Sequence, residues 1–456
     1  MKTNKLKTLA SAGVLACAAV LSSPVYAAND AMLDLLKALH ANGTIDQATY
    51  EVLVNSAKAD EERNAHDTKK VVAEKVEEAT RDTVKIHTKE KLAFESQDGD
   101  FKWNLFGRIM VDYQGIDDDR TEQTDGFELR RLRFGIGATL WKVWNFKFQP
   151  DFAQGKVTVK DAWIGYKGFA NTQIKLGNHL VPFGQDILNS SKYMMFIERS
   201  TLVALQEQLA DRRIGVSSGH HGDSWHLRYG LFGQGANGKA DDMYTAAFRA
   251  NWLPYHEKTR AVNLGVSYLH GFHGDASGKN ITLKSHPEIH LASDLVKTPK
   301  ITTDNYDMYG IEAAGVYGPF TALAEYNRLD VSVQNAPSVT LDGWYVQGSW
   351  FLTGESRHLE SKDALFHAIH PHSVVGKGGY GAWEVAARYS SVDLSDGAID
   401  GGQEDNFTIG VNWYPTTTTR MMLNYVKVLD VNFQNTAATH HKDEPSAIYL
   451  RSQVYW

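Results

Sequence analysis

The 456-residue chain carries 47 Lys and Arg against 54 Asp and Glu, a formal net charge of -7. That balance argues against a nucleic-acid partner, whose phosphates demand a cationic surface. Aromatics at 11%, 38 glycines and a mean hydropathy of only -0.36 fit a membrane barrel that hides its apolar face by alternation better than a soluble domain of this length.

Lys2, Lys5 and Lys7 precede an apolar run from Leu9 to Leu21 and then Val25-Tyr26-Ala27. This is the layout of a secretory signal spanning residues 1–27 and cleaved after Ala27. The run is too short for a membrane-spanning helix, and no later stretch reaches the roughly 20 continuous apolar residues one needs. The single cysteine, Cys17, lies inside the signal, so the cleaved chain carries no thiol. A lipoprotein site at Val14-Leu15-Ala16-Cys17 is the alternative, which the bulk of Leu15 disfavours.

Residues 28–95 read as a periplasmic helical segment. Leu33, Leu36 and Leu39 share one face, Asn42-Gly43 is a turn signal, and Ile45, Tyr50 and Leu53 resume the pattern. Val72, Val76, Ala79, Thr83 and Ile86 are then spaced 4, 3, 4 and 3, which predicts either a short coiled coil or a solvated helix.

From Phe101 the period becomes two. Phe407, Ile409, Val411 and Trp413 alternate with Thr408, Gly410, Asn412 and Tyr414, and about sixteen such segments follow one another. Each is close to the roughly 9 to 11 residues of a tilted spanning strand. Their starts fall near 102, 127, 143, 157, 172, 212, 224, 242, 261, 305, 319, 339, 383, 403, 418 and 444. Residues 96–456 are therefore expected to form a 16-stranded antiparallel transmembrane β-barrel, an all-β membrane fold. Its last strand ends on an aromatic, with Trp456, Val454, Leu450 and Ile448 on one parity. A strand reaching the terminus needs both edges paired, which closure provides.

Two connections stand out. Pro182 to Asp211 is long and contains Met194, Met195, Phe196 and Ile197; so apolar a third external loop is expected to fold inward. Thr353 to Gly381 falls where a short periplasmic turn belongs but is long and His-rich, which counts against the strand register there.

Parity places the first charges. On the second strand Leu132, Phe134 and Ile136 face one way, so Arg131 and Arg133 face the other with Gly135 and Gly137. An arginine on the lipid face costs about 2 to 4 kcal/mol near the midplane, so these two should line water. On the first strand Ile109 and Val111 face out, which turns Arg108 and Asp112 inward. Arg130 falls on the outward parity and needs a bulge or an interfacial position.

The segments "GRIMVDY", "GFELRRLRFG", "KDAWIGY", "PFGQDILNSSKYMMFIERS", "TGESRHLE", "AWEVAARYSSVDLSDG" and "GVNWYP" together resemble the phosphate-selective porins O and P, from about Trp103 to the end. The resemblance implies an outer-membrane barrel, a homotrimer in lipid and lipopolysaccharide, passing small anions, phosphate or polyphosphate among them. It carries constriction residues onto Ser191, Lys192 and Arg199 of the inserted loop, with Asp161 on the facing wall. The alternative is that these residues merely pin the loop. The chain departs from the family's dense arginine ladder: no R-x-R-x-R run occurs, and Arg212, Arg213, Arg228 and Arg249 are scattered. A general, weakly selective diffusion pore is therefore the alternative function.

No cofactor or metal is expected. His220-His221, His286 with His290, and His367, His370 and His372 lie in predicted loops or turns without a carboxylate or cysteine framework, and "GKGGYG" lacks the ending of a phosphate loop. An outer-membrane hydrolase finds no nucleophile and base set on one strand face. A trimeric tethering protein, with the N-terminal helices touching peptidoglycan or a periplasmic partner, is a third class.

Overall fold

The computed structural model describes residues 23–80, 83–88, 92–238, 243–273 and 279–456; the signal-peptide expectation lies mostly outside them. The chain forms two compact units, one reaching to Lys85 and including Ser96–Asp98, the other made of Ile86–Glu95 and Gly99–Trp456.

In the first unit α1 (Ser23–Ala41) and α2 (Gln47–Thr80) are joined where the sequence signals a turn. Gly43 takes φ +75, a conformation open to glycine. Asp46 caps α2, accepting from Thr49 N at 2.8 Å. His40 stacks on Tyr50 with ring centroids 4.8 Å apart. The 4-3 pattern does not continue through Ile86 as a helix. α2 ends at Thr80, and Val84–His87 is extended, as β-branched Thr83, Val84, Ile86 and Thr88 favour.

In the second unit sixteen antiparallel strands close on themselves. They are β1 (Phe101–Asp117), β2 (Gly126–Leu140), β3 (Trp144–Asp151), β4 (Thr158–Tyr166), β5 (Thr172–Leu180), β6 (Arg212–His221), β7 (Trp225–Phe232) and β8 (Met243–Glu257), then β9 (Arg260–His273), β10 (Ile301–Tyr317), β11 (Phe320–Val333), β12 (Val339–Phe351), β13 (Ala382–Asp396), β14 (Ile399–Thr416), β15 (Thr419–Asn432) and β16 (Ser446–Tyr455). Each strand pairs with the next, and β16 pairs with β1 from Ser446↔Asp117 to Tyr455↔Arg108. Gly107 and Trp456 then exchange backbone hydrogen bonds of 3.1 and 3.3 Å, so the terminal aromatic finishes the seam.

The barrel is apolar outside and polar inside. Val111, Phe134, Ile164, Leu176, Leu231 and Ile311 are exposed outward, whereas Arg108, Asp112, Arg131, Arg133, Asn263, Asn412 and Arg451 are buried inward. At the end where the chain terminates, Trp144–Tyr166, Phe320–Trp350 and Trp383–Trp413 are in ring contact, an aromatic belt of the kind that marks a bilayer interface.

One side of the lumen is filled by protein. The β5–β6 connection, residues 181–211 with α3 (Val203–Ala210), folds inward. Its Phe183, Leu188, Phe196, Leu202 and Leu209 are buried with the inward-facing Leu269, Met308, Leu323, Leu329 and Leu341 of β9 to β12. Each such burial contributes about 2 kcal/mol. Polar anchors fix the path: Glu325 accepts from Gln185 N (3.1 Å), Asp186 N (3.0 Å) and Gln206 Nε2 (2.6 Å), and Ile197 N donates to Asn424 Oδ1 at 2.8 Å. Gly184, at φ +61, passes so close to Glu325 that a Cβ there would lie 2.3 Å from Oε1.

The strand register holds through residues 353–381, which leave the barrel at the end holding Trp456 and return into its lumen. The segment carries a small hairpin, Leu359–Glu360 against Leu365–Phe366. Arg357 forms an ion pair of 2.6 Å with Glu384, both side chains fully buried. Arg249 of β8 donates to Asp363 O (3.1 Å) and Ala364 O (3.2 Å) while paired to Glu312 at 2.6 Å. The hairpin meets the β5–β6 loop directly: Phe366 N donates to Asn189 Oδ1 (3.2 Å), Arg357 Nη1 donates to Tyr193 O (2.9 Å), and His367 stacks over Tyr193.

Candidate functional site: a cationic constriction

The space left beside these two inserted segments is a cavity of about 570 Å³ against the wall formed by β1 to β7. Twelve Lys and Arg line it against seven Asp and Glu, so its local charge is opposite in sign to that of the whole chain.

Two bulges aim the wall's charges. Met110 pairs with Arg131 but Val111 pairs with Leu129, leaving Arg130 as the extra residue. Alternation is reset there, so Arg130, Arg131 and Arg133 all reach the lumen. On β4, Gln149 pairs with Asp161 while Pro150 pairs with Val159, which makes Lys160 the extra residue beside Asp161. A bulge re-aims a side chain at the cost of one ladder position.

The cations differ in what they do. Arg130 binds Glu198 through two bonds of 2.9 and 3.0 Å, and Arg131 and Arg451 lie 3.6 and 2.9 Å from the same carboxylate. Burial alone would raise the Glu198 carboxyl; Arg130, Arg131 and Arg451 outweigh it and hold it well below the ordinary range. Arg133 is paired to Asp151 at 2.7 Å. Asp161 holds Lys147 (2.7 Å) and Arg212 (3.2 Å), which makes it the partner of two wall cations and not of the loop. Arg199 donates to the carbonyls of Asp186, Ile187 and Asn189 at 2.9 to 3.1 Å, the geometry of a loop strut.

A second set carries charge without an acidic partner within ion-pair distance among the described residues. Arg108 donates to the hydroxyls of Ser191 (2.7 Å) and Ser190 (3.4 Å). Lys175 lies over the Trp163 ring at 4.7 Å, and Arg228 and Lys160 line the cavity. Lys192 lies 5.0 Å from both the Tyr193 and Tyr455 rings. It is not among the cavity-lining residues. Burial, then the charges of Arg108 and Lys147, bring its ammonium down to about 7.

The structure thus gathers Arg108, Arg131, Arg133, Asp161, Ser191 and Arg199 around one cavity and sets Lys192 beside it. Sequence reasoning missed Lys147, Lys175 and Lys160. The first two were readable, because the outward Trp144, Phe146 and Phe148 fix Lys147 as inward, and Ile174 and Leu176 do the same for Lys175. Lys160 depends on its bulge. Of the scattered arginines, Arg212 and Arg228 reach the cavity, Arg213 donates to Gln208 O, and Arg249 is sealed under the hairpin. The histidines do have carboxylates nearby: His290 lies 2.8 Å from Glu128, His286 3.2 Å from Asp294 and His367 3.1 Å from Asp363. Among the described residues no group of three metal-ligating side chains forms.

A closed sixteen-stranded barrel with a lipid-facing exterior, a polar lumen and a constriction folded in from a loop is a channel of the outer-membrane porin class. The chain belongs to the phosphate-selective porin O and P family, whose model matches residues 104–456. It is similar to Porin O of Pseudomonas aeruginosa, 24% identical over 381 residues covering 75% of this chain and 86% of that protein. It is also similar to an uncharacterized protein of Caulobacter vibrioides, 26% identical, covering 72% and 68%. Solved structures with the same fold include an anion-selective porin from Comamonas acidovorans, at TM-score 0.50 and 10% identity, covering 78% of this chain and all of that one. Another is a loop-deletion mutant of OmpT, an outer membrane protein of Vibrio cholerae, at TM-score 0.51 and 13% identity with 78% and 100% coverage.

Proposed function

We propose that this porin is a passive diffusion channel for small anions, with phosphate and short polyphosphate among its solutes. The observation that carries the reading is the charge of the constriction, twelve cations against seven acids in a chain whose net charge is -7. Cations set in low-dielectric walls replace part of an anion's lost hydration, and hydroxyls such as Ser191 bond its oxygens. Arg108, Lys175, Arg228 and Lys160 attract the ion because, among the described residues, no carboxylate lies at ion-pair distance from them. Lys192 adds to the field beside the cavity. Arg130, Arg131 and Arg199 act chiefly by holding the inserted loop, Arg133 is balanced by Asp151, and Asp161 moderates Lys147 and Arg212. Exported by a signal ending at Ala27, the chain works as a homotrimer in outer-membrane lipid and lipopolysaccharide. Its N-terminal helices reach other copies, peptidoglycan or a periplasmic partner. Reversal potentials across a KCl gradient, measured on the purified protein in planar bilayers, test the selectivity. Chloride preference and block of the chloride current by phosphate are expected; a cation-selective pore overturns the proposal.

A further inference from the structure

Trp163 is, among the described residues, the one tryptophan that lines the constriction, and a path for bare ions has no use for an indole. It lies on β4 two residues beyond Asp161, whose pairs with Lys147 and Arg212 mark that parity as inward, while the next residue, Ile164, is exposed to the outside. Trp163 itself is half-buried. Its cross-strand neighbours are Lys147 on β3 and Gly177 on β5. One edge of the ring reaches over Gly165, where a Cβ would lie 3.2 Å from Cζ3, and the Lys175 ammonium stands 4.7 Å from the ring. The two glycines leave the indole room along the wall, beside two lysines. Lys175 has no acidic partner at ion-pair distance among the described residues, so its N–H donors are open to a solute.

Aliphatic side chains reach the same cavity. Leu180 at the end of β5, Val203 at the start of α3 and Leu365 of the inserted hairpin are half-buried and line it. Leu180 and Leu365 also pack on the apolar core beneath the inserted segments, so an edge of that core opens here. Apolar surface left in water costs free energy in proportion to its area, and an apolar body entering the cavity recovers it. The volume of about 570 Å³ falls within the roughly 300 to 1,000 Å³ of sites that hold small organic molecules, which join aromatic and aliphatic lining to a few convergent polar groups. A bare inorganic anion uses the cations and leaves the rest of this lining idle.

We propose that the constriction also takes small organic anions, those that carry a flat apolar body on an anionic head, and that Trp163 is the residue that selects them. The head accepts from Lys175 or Lys147 while the body lies on the indole. The close spacing of ammonium and ring suits a head bonded directly to its ring. The edge formed by Leu180, Val203 and Leu365 offers the body further contact as it moves through. Nothing in this contact depends on phosphorus: carboxylate, sulfonate and phosphate monoester heads serve alike, and the choice is made by the body. This inference rests on the anion-channel reading above and adds a class of solute to it.

The test compares block of the chloride current by benzenesulfonate and by methanesulfonate, with full-length protein in planar bilayers. Both probes are monoanions at any working pH and differ only in the body. Benzenesulfonate should block the parent at about one-tenth the concentration that methanesulfonate needs. Trp163→Leu should raise the blocking concentration of benzenesulfonate about fivefold and that of methanesulfonate less than about twofold, and Trp163→Phe should recover part of the difference. Leu365→Asn, on the inserted hairpin, should narrow the same difference and gives the reading if the Trp163 variants assemble poorly. Equal block of the parent by the two sulfonates overturns the inference and leaves the anion-channel reading standing. So does a preference for benzenesulfonate that survives Trp163→Leu or, where that variant fails to assemble, Leu365→Asn. Cation selectivity of the parent across a KCl gradient overturns the earlier reading instead.

Discussion

Arg108→Gln separates charge that serves permeation from charge that serves structure. Arg108 is 7% exposed, bonds only the hydroxyls of Ser190 and Ser191, and has no carboxylate at ion-pair distance among the described residues. An anion passing about 7 Å away gains roughly 0.6 kcal/mol from it at the dielectric constant of water and roughly 2.4 kcal/mol at an effective value of about 20. Removing the charge should therefore lower anion occupancy by a factor of roughly 3 to 60, read as a shift of the reversal potential toward zero. The same substitution relieves the desolvation of an unpaired cation, so the barrel should resist heat in detergent at least as well as the parent. Arg133→Gln is the contrast. It strands Asp151, whose partner sits at 2.7 Å, and should destabilise the barrel by about 3 kcal/mol while moving the reversal potential less. Unchanged selectivity in the Arg108 variant, or a larger shift in the Arg133 variant, refutes the division.

Asp161→Asn frees Lys147 and Arg212 and should raise anion preference threefold or so; a fall would contradict the site's arrangement. Gly107→Ala places a Cβ 2.4 Å from the Trp456 ring and 2.8 Å from Arg133 O, so it should reduce heat-modifiable barrel as severely as Trp456→Ser, scored on detergent gels. Lys192, brought down to about 7 by burial, Arg108 and Lys147, is charged below that pH and neutral above it. Anion preference should accordingly decline as pH rises through neutrality, and Lys192→Gln should reduce the dependence.

The barrel was legible because, away from the bulges, the strands obey one rule. Outward Phe407, Ile409, Val411 and Trp413 alternate with buried Thr408, Gly410 and Asn412, and such parity needs no knowledge of partners. The inserted β5–β6 loop announced itself by its apolar content. Its seat did not, since Leu269, Met308 and Leu341 point into a lumen where water was expected. The pairing of the arginines lay beyond reach because each partner is remote: Glu198 is 68 residues from Arg130 and 253 from Arg451. Arg199 does lie at the cavity, but that it also straps the loop was not legible, because a chain of letters does not show three carbonyls turning toward one guanidinium. Residues 353–381 were read as a fault in the strand count for the same reason, their anchor Glu384 being hidden within an ordinary strand.

The two segments that narrow the lumen enter by opposite mouths and touch in the middle, through Phe366 with Asn189 and Arg357 with Tyr193. Each is rooted at its own end of the barrel, so their contact acts as a brace: a shift at either root moves the tip of the other, and the width of the passage answers to both rims of the cylinder at once.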